Sequence, residues 1–153
     1  MAIQQGVFVA DLLLGKKRET DIHTAIPSAI FTISEIAGLG CQEHQLLSEH
    51  RSYKVGKYPF IHTWRGFTKG INQGFVKVLF GEDDELIGLW MAGQDVSEYI
   101  GPLHSIFRKR ITLKDLEDSL VVHPSLWESV WETARNLEER GGEQDETAPY
   151  TML

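Results

Sequence analysis

The chain has 153 residues, of which 42% are hydrophobic and 24% charged, a composition typical of one globular domain with a buried core. A formal net charge of −7 argues against nucleic-acid binding, and no run approaches the ~20 apolar residues that a membrane span needs. Cys41 is the only cysteine, which excludes an internal disulfide and makes a reducing, cytoplasmic compartment the simplest expectation.

The N-terminal segment predicts an amphipathic helix over residues 2–14. Apolar residues recur there at helical spacing, and Gly15 ends the pattern. These apolar residues are Ile3, Val7, Ala10, Leu13 and Leu14. Residues 16–24 are polar and are interpreted as a linker.

The next stretch predicts two short strands around a surface helix. Residues 29–33 form an apolar run typical of a strand, and Gly38 and Gly40 are expected to break the structure that follows. Residues 42–49 predict a short helix, and residues 53–60 alternate as a strand that ends at Pro59.

The middle of the chain predicts an ordered loop and then the clearest hairpin. Residues 63–73 hold two glycines among polar residues, which favours a loop. Residues 74–80 and 86–92 predict paired strands, joined by the polar turn at 81–85. The acidic residues of that turn are interpreted as solvated, because a Ca²⁺ loop needs a longer alternating ligand pattern.

The C-terminal third predicts three helices and a tail. The first covers residues 96–110 and is interrupted by Pro102, which indicates a kink or a late start. Thr112 is the expected N-cap of a short second helix. The third is expected from Ser125 to about Arg140, before a flexible tail at 141–153. Strands followed by helices indicate an α+β fold with an antiparallel sheet.

The segment His123-Pro124-Ser125-Leu126-Trp127-Glu128 carries the candidate chemistry. A histidine titrates near working pH, and Glu128 is spaced so that it can fold back onto the ring of His123. Ser125 and Glu128 also fit a capping box, and the bond before Pro124 can be cis. Spacing alone favours a cap and a packing histidine over proton transfer, and leaves both interpretations open.

Other potential sites are weaker. No H-E-x-x-H or Cys/His spacing is present, so no metal site is predicted. Nothing near Cys41 indicates an activated thiol. The i,i+4 pair of Trp127 and Trp131 is interpreted as a core or interface contact rather than a ligand platform.

Five segments in order carry the motifs of a known family. Residues 27–37 are similar to P-S-x-x-F-T-x-P-E, with Ser34 in place of the second proline, and Gly40 matches a following glycine. Residues 74–77 match G-F-V-K, residues 87–93 are similar to I-L-G-x-x-x-x-G, and residues 97–100 are similar to S-E-x-I. Residues 123–128 are similar to H-P-T-x-x-E, with Ser125 for threonine. Residues 25–135 thus resemble the C-terminal dimerisation domain of the pyridine nucleotide-disulfide oxidoreductases, a class that includes dihydrolipoamide dehydrogenase, glutathione reductase and mercuric reductase.

The resemblance implies an antiparallel sheet of about four to five strands with helices packed on it. It implies that His123 is the general acid/base of a partner subunit's active site and that Glu128 orients its imidazole. His123 and Pro124 would lie near the partner's flavin. Residues 2–15 resemble the last helix of the family's FAD domain, which divides the chain into a remnant with linker (1–24), a dimerisation domain (25–140) and a tail (141–153).

Cofactor motifs of the family are absent from the sequence. There is no G-x-G-x-x-G and no Cys-x₄-Cys, so this chain alone is expected to bind no cofactor and to be inactive, with FAD and NAD(P) belonging to a parent enzyme. The expected partner is a second copy or a FAD/NAD(P) module. Two functions follow: the interface domain of a flavin-dependent disulfide oxidoreductase, or a stand-alone homodimerising module without catalysis.

Overall fold

A computed structural model describes residues 2–16 and 25–140 of the chain. These residues contain one six-stranded antiparallel sheet of order β1-β2-β5-β4-β3-β6. The strands are β1 (Ser28–Ile30), β2 (Glu35–Gly40), β3 (Tyr53–Pro59), β4 (Phe75–Phe80), β5 (Leu86–Gly93) and β6 (Glu138–Arg140). The helices are α1 (Ala2–Leu13), α2 (Glu43–Ser48), α3 (Trp64–Lys69), α4 (Ser97–Phe107), α5 (Leu113–Glu117) and α6 (Glu128–Ala134), with a 3₁₀ turn at Phe60–His62.

The hairpin of β4 and β5 forms the centre of the sheet and is buried on both faces. Val76 and Val78 pack with Leu89 and Met91 in the main core. Helix α6 packs on β3 and β4, and α4 packs on β2. Leu79 points to the opposite face, where it packs with residues of α2 and β3. A strand covered on both faces explains why the sequence of β4 is almost continuously apolar.

Most elements with a clear pattern are confirmed. The α+β class with an antiparallel sheet is confirmed, with six strands against the four to five expected. The predicted hairpin, the strand ending at Pro59, and helices α1, α2, α4 and α5 all form. Pro102 lies inside α4, and Thr112 caps α5 in a reciprocal box with Asp115.

The expectation that Gly38 and Gly40 break the chain was wrong, because both lie in the strand β2. A Cβ on Gly38 would come within 2.3 Å of the Trp90 ring, so glycine is needed for this close packing. Phe31, Thr32 and Ile33 fall outside β1, which is shorter than the predicted strand.

The predicted loop at 63–73 contains the helix α3. Its start is fixed by Thr63, whose Oγ1 accepts a hydrogen bond of 2.9 Å from the Gly66 amide. Gly70 ends it in the left-handed conformation, with φ of 67°. Two glycines obscured the helical pattern, yet Gly66 lies inside α3 and Gly70 forms its C-cap.

The last helix was predicted too long at both ends. Helix α6 begins at Glu128 rather than Ser125 and ends at Ala134 rather than near Arg140. Residues 138–140 instead form β6, which pairs with β3 and brings Arg140 opposite Tyr53. The predicted tail at 141–153 lies outside the described residues, as does the predicted linker from residue 17 to residue 24.

Helix α1 presents apolar side chains to solvent. Within the described part of the chain, no side chain of α1 is buried, and Ile3, Leu12 and Leu13 are largely exposed. None of the helices formed by residues 2–16 and 25–140 has the length and apolar character needed to cross a bilayer.

Candidate active site

His123 and Glu128 are in direct contact. Nδ1 of His123 lies 2.6 Å from Oε1 of Glu128, and the peptide bond from His123 to Pro124 is cis. The second carboxylate oxygen of Glu128, Oε2, accepts a hydrogen bond of 2.7 Å from the Ser125 amide. Both carboxylate oxygens of Glu128 therefore have a partner, one the ring of His123 and the other the Ser125 amide.

Helix α6 fixes the position of this pair. Glu128 is its first residue, and the residues that follow on its inner face, Ser129, Val130, Thr133 and Ala134, are buried. Ser129 Oγ donates a hydrogen bond of 2.6 Å to the Leu126 carbonyl, which ties the entering loop to the helix. A carboxylate at the N-terminal end of an anchored helix is also favoured by the helix dipole.

The carboxylate of Glu128 is stabilised in its ionised form. Partial burial opposes ionisation and is the largest single influence, but the Ser125 amide and the His123 ring together outweigh it, so the pKa of Glu128 lies below its ordinary value. An ionised Glu128 is a hydrogen-bond acceptor, which favours a proton on Nδ1 of His123.

The imidazole is the exposed member of the pair. The side chain of His123 is 63% exposed, whereas that of Glu128 is 17% exposed. Among the described residues, Nε2 of His123 has no hydrogen-bond partner. The arrangement can therefore hold one ring nitrogen in place while the other exchanges a proton with a group outside this chain.

Only half of the predicted capping box forms. Glu128 returns to the Ser125 amide, but Ser125 Oγ is buried and finds no hydrogen-bond partner among the described residues. The helix begins two residues later than a Ser125 cap requires, and Trp127 occupies the N-cap position without a side-chain cap hydrogen bond. Glu128 thus accepts a hydrogen bond from the turn before α6 and also contacts the ring of His123.

Acidic residues elsewhere in the domain have separate partners. Asp118 pairs with Lys114 at 2.7 Å on the surface of α5, so it is not a second acceptor for His123. In the β4–β5 turn, Asp84 pairs with Lys54 at 2.6 Å, and the Glu85 carboxylate accepts hydrogen bonds from two guanidinium nitrogens of Arg110. The acidic turn is therefore engaged in ion pairs rather than merely solvated.

The remaining candidate residues do not assemble into a further centre. Across residues 2–16 and 25–140, no group of three or more His, Cys, Asp and Glu residues could hold a metal ion. Trp127 packs against the main core. Trp131 donates from Nε1 to the Glu117 carbonyl at 3.1 Å, and Arg135 stacks on its ring, so both tryptophans make contacts within the domain.

Tyr58 is a neighbour of the pair that sequence reasoning missed. Burial raises the pKa of its phenol, and the charges of Glu132 and Glu128 raise it further. Its ring meets that of His62 edge to face at 5.8 Å. In the sequence Tyr58 is simply part of an alternating strand, and only the packing of α6 on β3 brings it towards Glu128.

Comparison with known proteins identifies the family. The family model of the pyridine nucleotide-disulphide oxidoreductase dimerisation domain matches residues 26–134, which is most of the chain. The chain belongs to this family, as its motifs, its antiparallel sheet and its His-Pro segment indicated.

The similar proteins are reductases and dehydrogenases of much greater length. Dihydrolipoyl dehydrogenase 3 of Pseudomonas putida is 33% identical over 138 residues, which is 90% of this chain and 29% of the relative. Dihydrolipoyl dehydrogenase of Cupriavidus necator is 32% identical over 140 residues, which is 91% of this chain and 29% of that protein. The chain therefore spans less than a third of the length of these relatives.

Solved structures show the same fold. The crystal structure of LpdA from Mycobacterium tuberculosis matches with a TM-score of 0.77 and 26% identity, over 86% of this chain and 29% of that one. The HOCl-induced flavoprotein disulfide reductase RclA from Escherichia coli matches with a TM-score of 0.72 and 23% identity, over 83% and 30%, and supports the fold alone.

Proposed function

We propose that this chain is the interface domain of a flavin-dependent disulfide oxidoreductase of the dihydrolipoamide dehydrogenase type. It would supply the subunit contact and present His123 and Glu128 to the active site of a partner subunit. The observation that carries the proposal is the 2.6 Å contact of His123 Nδ1 with a carboxylate while the rest of the ring faces outward. A reducing, cytoplasmic compartment is part of the proposal and is supported by the single cysteine.

The geometry suits proton transfer to a dithiol or disulfide substrate. Nε2 of His123 would take a proton from an incoming thiol and return it to a leaving thiolate, while Glu128 stabilises the imidazolium that forms. Each proton taken up is returned, so the pair ends each cycle in its starting state. Glu128 also keeps the ring in one tautomer, because its ionised oxygen accepts from Nδ1.

The residues fit a flavin held by another subunit. His123 is open to solvent on the surface of the domain, and the sequence carries no Gly-rich dinucleotide turn. FAD on the partner, with NAD(P), would supply the two-electron step when bound. His123 and Pro124 would lie on the substrate side of that site.

The subunit contact has a candidate surface beside the pair. Leu120 and Val122 are strongly exposed in the segment that leads to His123. Exposed apolar side chains next to a functional group are typical of an interface. We propose that this segment contacts a second copy, which would place His123 at the subunit boundary.

A chimera tests the proposal. Residues 25–140 would replace the matching segment of dihydrolipoyl dehydrogenase 3 of Pseudomonas putida, and flavin content, oligomeric state and lipoamide turnover would be measured. His123→Gln should lower turnover by about 10²-fold or more, the range for a lost general acid/base, with flavin content unchanged. The matched control is His44→Gln on the surface of α2. Equal turnover of the two variants would contradict the catalytic assignment.

The second function, a homodimerising module without catalysis, depends on the same exposed segment at Leu120 and Val122. It predicts that the chimera dimerises but that His123→Gln has no effect on turnover. The two functions are thus separated by one pair of variants.

A further inference from the structure

Tyr58 lies on the face of the sheet that carries α6. Side chains alternate along a strand, so Tyr58 shares its face with Gly56, whereas Val55 between them packs with residues of α2 on the other face. A Cβ on Gly56 would come within 2.6 Å of the Thr133 carbonyl oxygen, so α6 crosses β3 at this point. The ring of Tyr58 packs against the main core on the same side.

The first turn of α6 lies over Tyr58. Glu138, downstream of α6, pairs with β3 one residue before Gly56, so the chain passes along β3 from its end towards its start. Tyr58 is two residues beyond Gly56, about 6.6 Å along the strand. That length corresponds to about four helical residues before Thr133, which is the turn that begins with Glu128.

The charges that act on Tyr58 agree with this placement. Burial raises the pKa of its phenol, and the carboxylates of Glu132 and Glu128 on α6 raise it further. The phenol therefore stays protonated, and its one described hydrogen bond, to the His62 carbonyl, is long at 3.4 Å. The ring of His62 meets the Tyr58 ring edge to face at 5.8 Å, so the Tyr58 ring is held between His62 and α6.

We propose that Tyr58 is a positioning residue for the His123–Glu128 pair, whose ring covers the inner side of the Glu128 carboxylate and keeps water from competing for the oxygen that contacts His123. This inference deepens the proposed function and rests on it for its catalytic consequence. The side chain of Glu128 is only 17% exposed, although its partner His123 is open to solvent. A hydrogen bond between a ring nitrogen and a carboxylate is stronger where water is excluded.

The ring of Tyr58, rather than its hydroxyl, has this role. A hydroxyl whose hydrogen bond measures 3.4 Å gains little from it, so its removal changes little. Phenylalanine would cover the carboxylate as tyrosine does, whereas leucine would still pack on the core but would lack the ring. The variants Tyr58→Phe and Tyr58→Leu therefore separate the two groups of the side chain.

The tautomer of His123 reports whether Glu128 is held in place. It is measured by imidazole ¹⁵N NMR of the full chain at a pH about 2 units above the ordinary pKa of histidine, with signals assigned by their loss in His123→Gln. We expect the Nδ1–H form in the unmodified chain and in Tyr58→Phe, because an ionised carboxylate accepts from Nδ1. Tyr58→Leu should lower the ratio of the Nδ1–H to the Nε2–H form by at least about threefold, the effect of weakening one hydrogen bond.

Tyr99→Leu is the matched control. Tyr99 is also a half-buried tyrosine that packs against the main core, but it lies on α4, which packs on β2. Its substitution should lower stability to a similar degree and leave the tautomer of His123 unchanged, and no variant should alter the tautomer of the exposed His44. Should Tyr58→Leu not fold, Tyr58→Met removes the ring with a longer side chain and carries the same test.

Three results would overturn the proposal. The unmodified chain could hold mainly the Nε2–H form, Tyr58→Leu could keep the unmodified ratio, or Tyr58→Phe or Tyr99→Leu could lower the ratio as much as Tyr58→Leu does. The NMR measurement needs no flavin and no partner subunit, so the inference and the proposed function can fail separately. A changed tautomer in Tyr58→Leu, with full turnover of the His123→Gln chimera, would contradict the catalytic function and leave Tyr58 as the residue that holds the pair.

Discussion

Glu128 makes two hydrogen bonds with one carboxylate, and each bond has its own consequence. The bond from the Ser125 amide fixes the carboxylate to the start of α6, and the contact with His123 fixes the ring. Ser125 Oγ contributes no hydrogen bond, although the sequence predicted it as the cap. At the scale of single residues, Glu128 therefore holds the pair together, and Ser125 acts through its backbone.

The lowered pKa of Glu128 predicts a pH-dependent contribution to stability. The ordinary value is 4.5, and the folded value lies below it. The contribution is then complete above the unfolded pKa and is lost as pH falls through the folded value. Wild type should exceed Glu128→Gln in free energy of unfolding by about 1 kcal/mol or less at neutral pH, since the histidine is solvent-screened, and the difference should vanish in acid. Urea unfolding across pH measures this.

The control for that measurement is Glu132→Gln, one turn further along α6. Its carboxylate accepts no hydrogen bond from the described residues, so its substitution should leave the pH dependence unchanged. The free energies of unfolding of wild type and Glu128→Gln would then be compared from neutral to acid pH. A difference that stays constant would show that the two hydrogen bonds do not stabilise the ionised carboxylate.

At the scale of elements, the sequence predicted the helices and strands whose own residue pattern determines their structure. The β4–β5 hairpin alternates around a polar turn, and α5 opens on a threonine three residues before an aspartate. Strand β2 was missed because Gly38 is a breaker locally and a packing requirement only once Trp90 lies across it. Strand β6 was missed because its sequence continues a helical pattern and only pairing with β3 makes it a strand.

Gly38→Ala tests the packing of β2 on β5. A methyl group would meet the Trp90 ring at 2.3 Å and the Leu89 carbonyl at 2.7 Å, inside a buried strand. We expect a loss of about 3 kcal/mol in the free energy of unfolding, the range for overpacking against a fixed backbone. Gly6→Ala is the control, because nothing lies within 4 Å of the added methyl, and it should cause no loss of stability, since alanine is favoured over glycine inside a helix by up to about 1 kcal/mol. Similar values for both would contradict the packing argument.

Glu43, in α2, contacts residues of β3, β4 and β6, and its substitution predicts a second loss of stability. Its carboxylate contacts Lys77 at 2.6 Å, Tyr53 at 3.0 Å and Arg140 at 3.4 Å. Burial opposes its ionisation, but these donors prevail and lower the pKa of Glu43. Glu43→Ala should cost about 2 kcal/mol and speed amide exchange in β6, because the buried Tyr53 and the partly buried Lys77 and Arg140 lose an acceptor.

Glu49→Ala provides the comparison for Glu43. Glu49 is exposed and its only described ion pair, with Arg51, measures 3.5 Å. Such pairs contribute little, so unfolding should change by less than about 0.5 kcal/mol and exchange in β6 should not change. Equal effects from the two variants would show that the Glu43 contacts do not hold β6.

At the scale of the whole molecule, family motifs and tertiary geometry identified different residues of the candidate site. The ordered motifs named His123 and Glu128 before any contact was known, and the structure brings the two within 2.6 Å. The proximity of Tyr58 to Glu128 was invisible in the sequence, because it depends on α6 packing on β3. Tertiary placement, rather than residue type, brings Tyr58 to the pair.

The proposed subunit contact makes a prediction for the whole chain. Leu120 and Val122 would be buried between two copies, so the chain should sediment as a dimer at micromolar concentration. Val122→Glu should raise the dimer Kd by at least about tenfold, because an unpaired charge at a desolvated contact costs more than about 1.4 kcal/mol. Ile33→Glu, at an equally exposed position beyond β1, should leave the Kd unchanged. A monomer at high micromolar concentration, or disruption by Ile33→Glu alone, would move the subunit contact away from His123 and remove the basis for shared active sites.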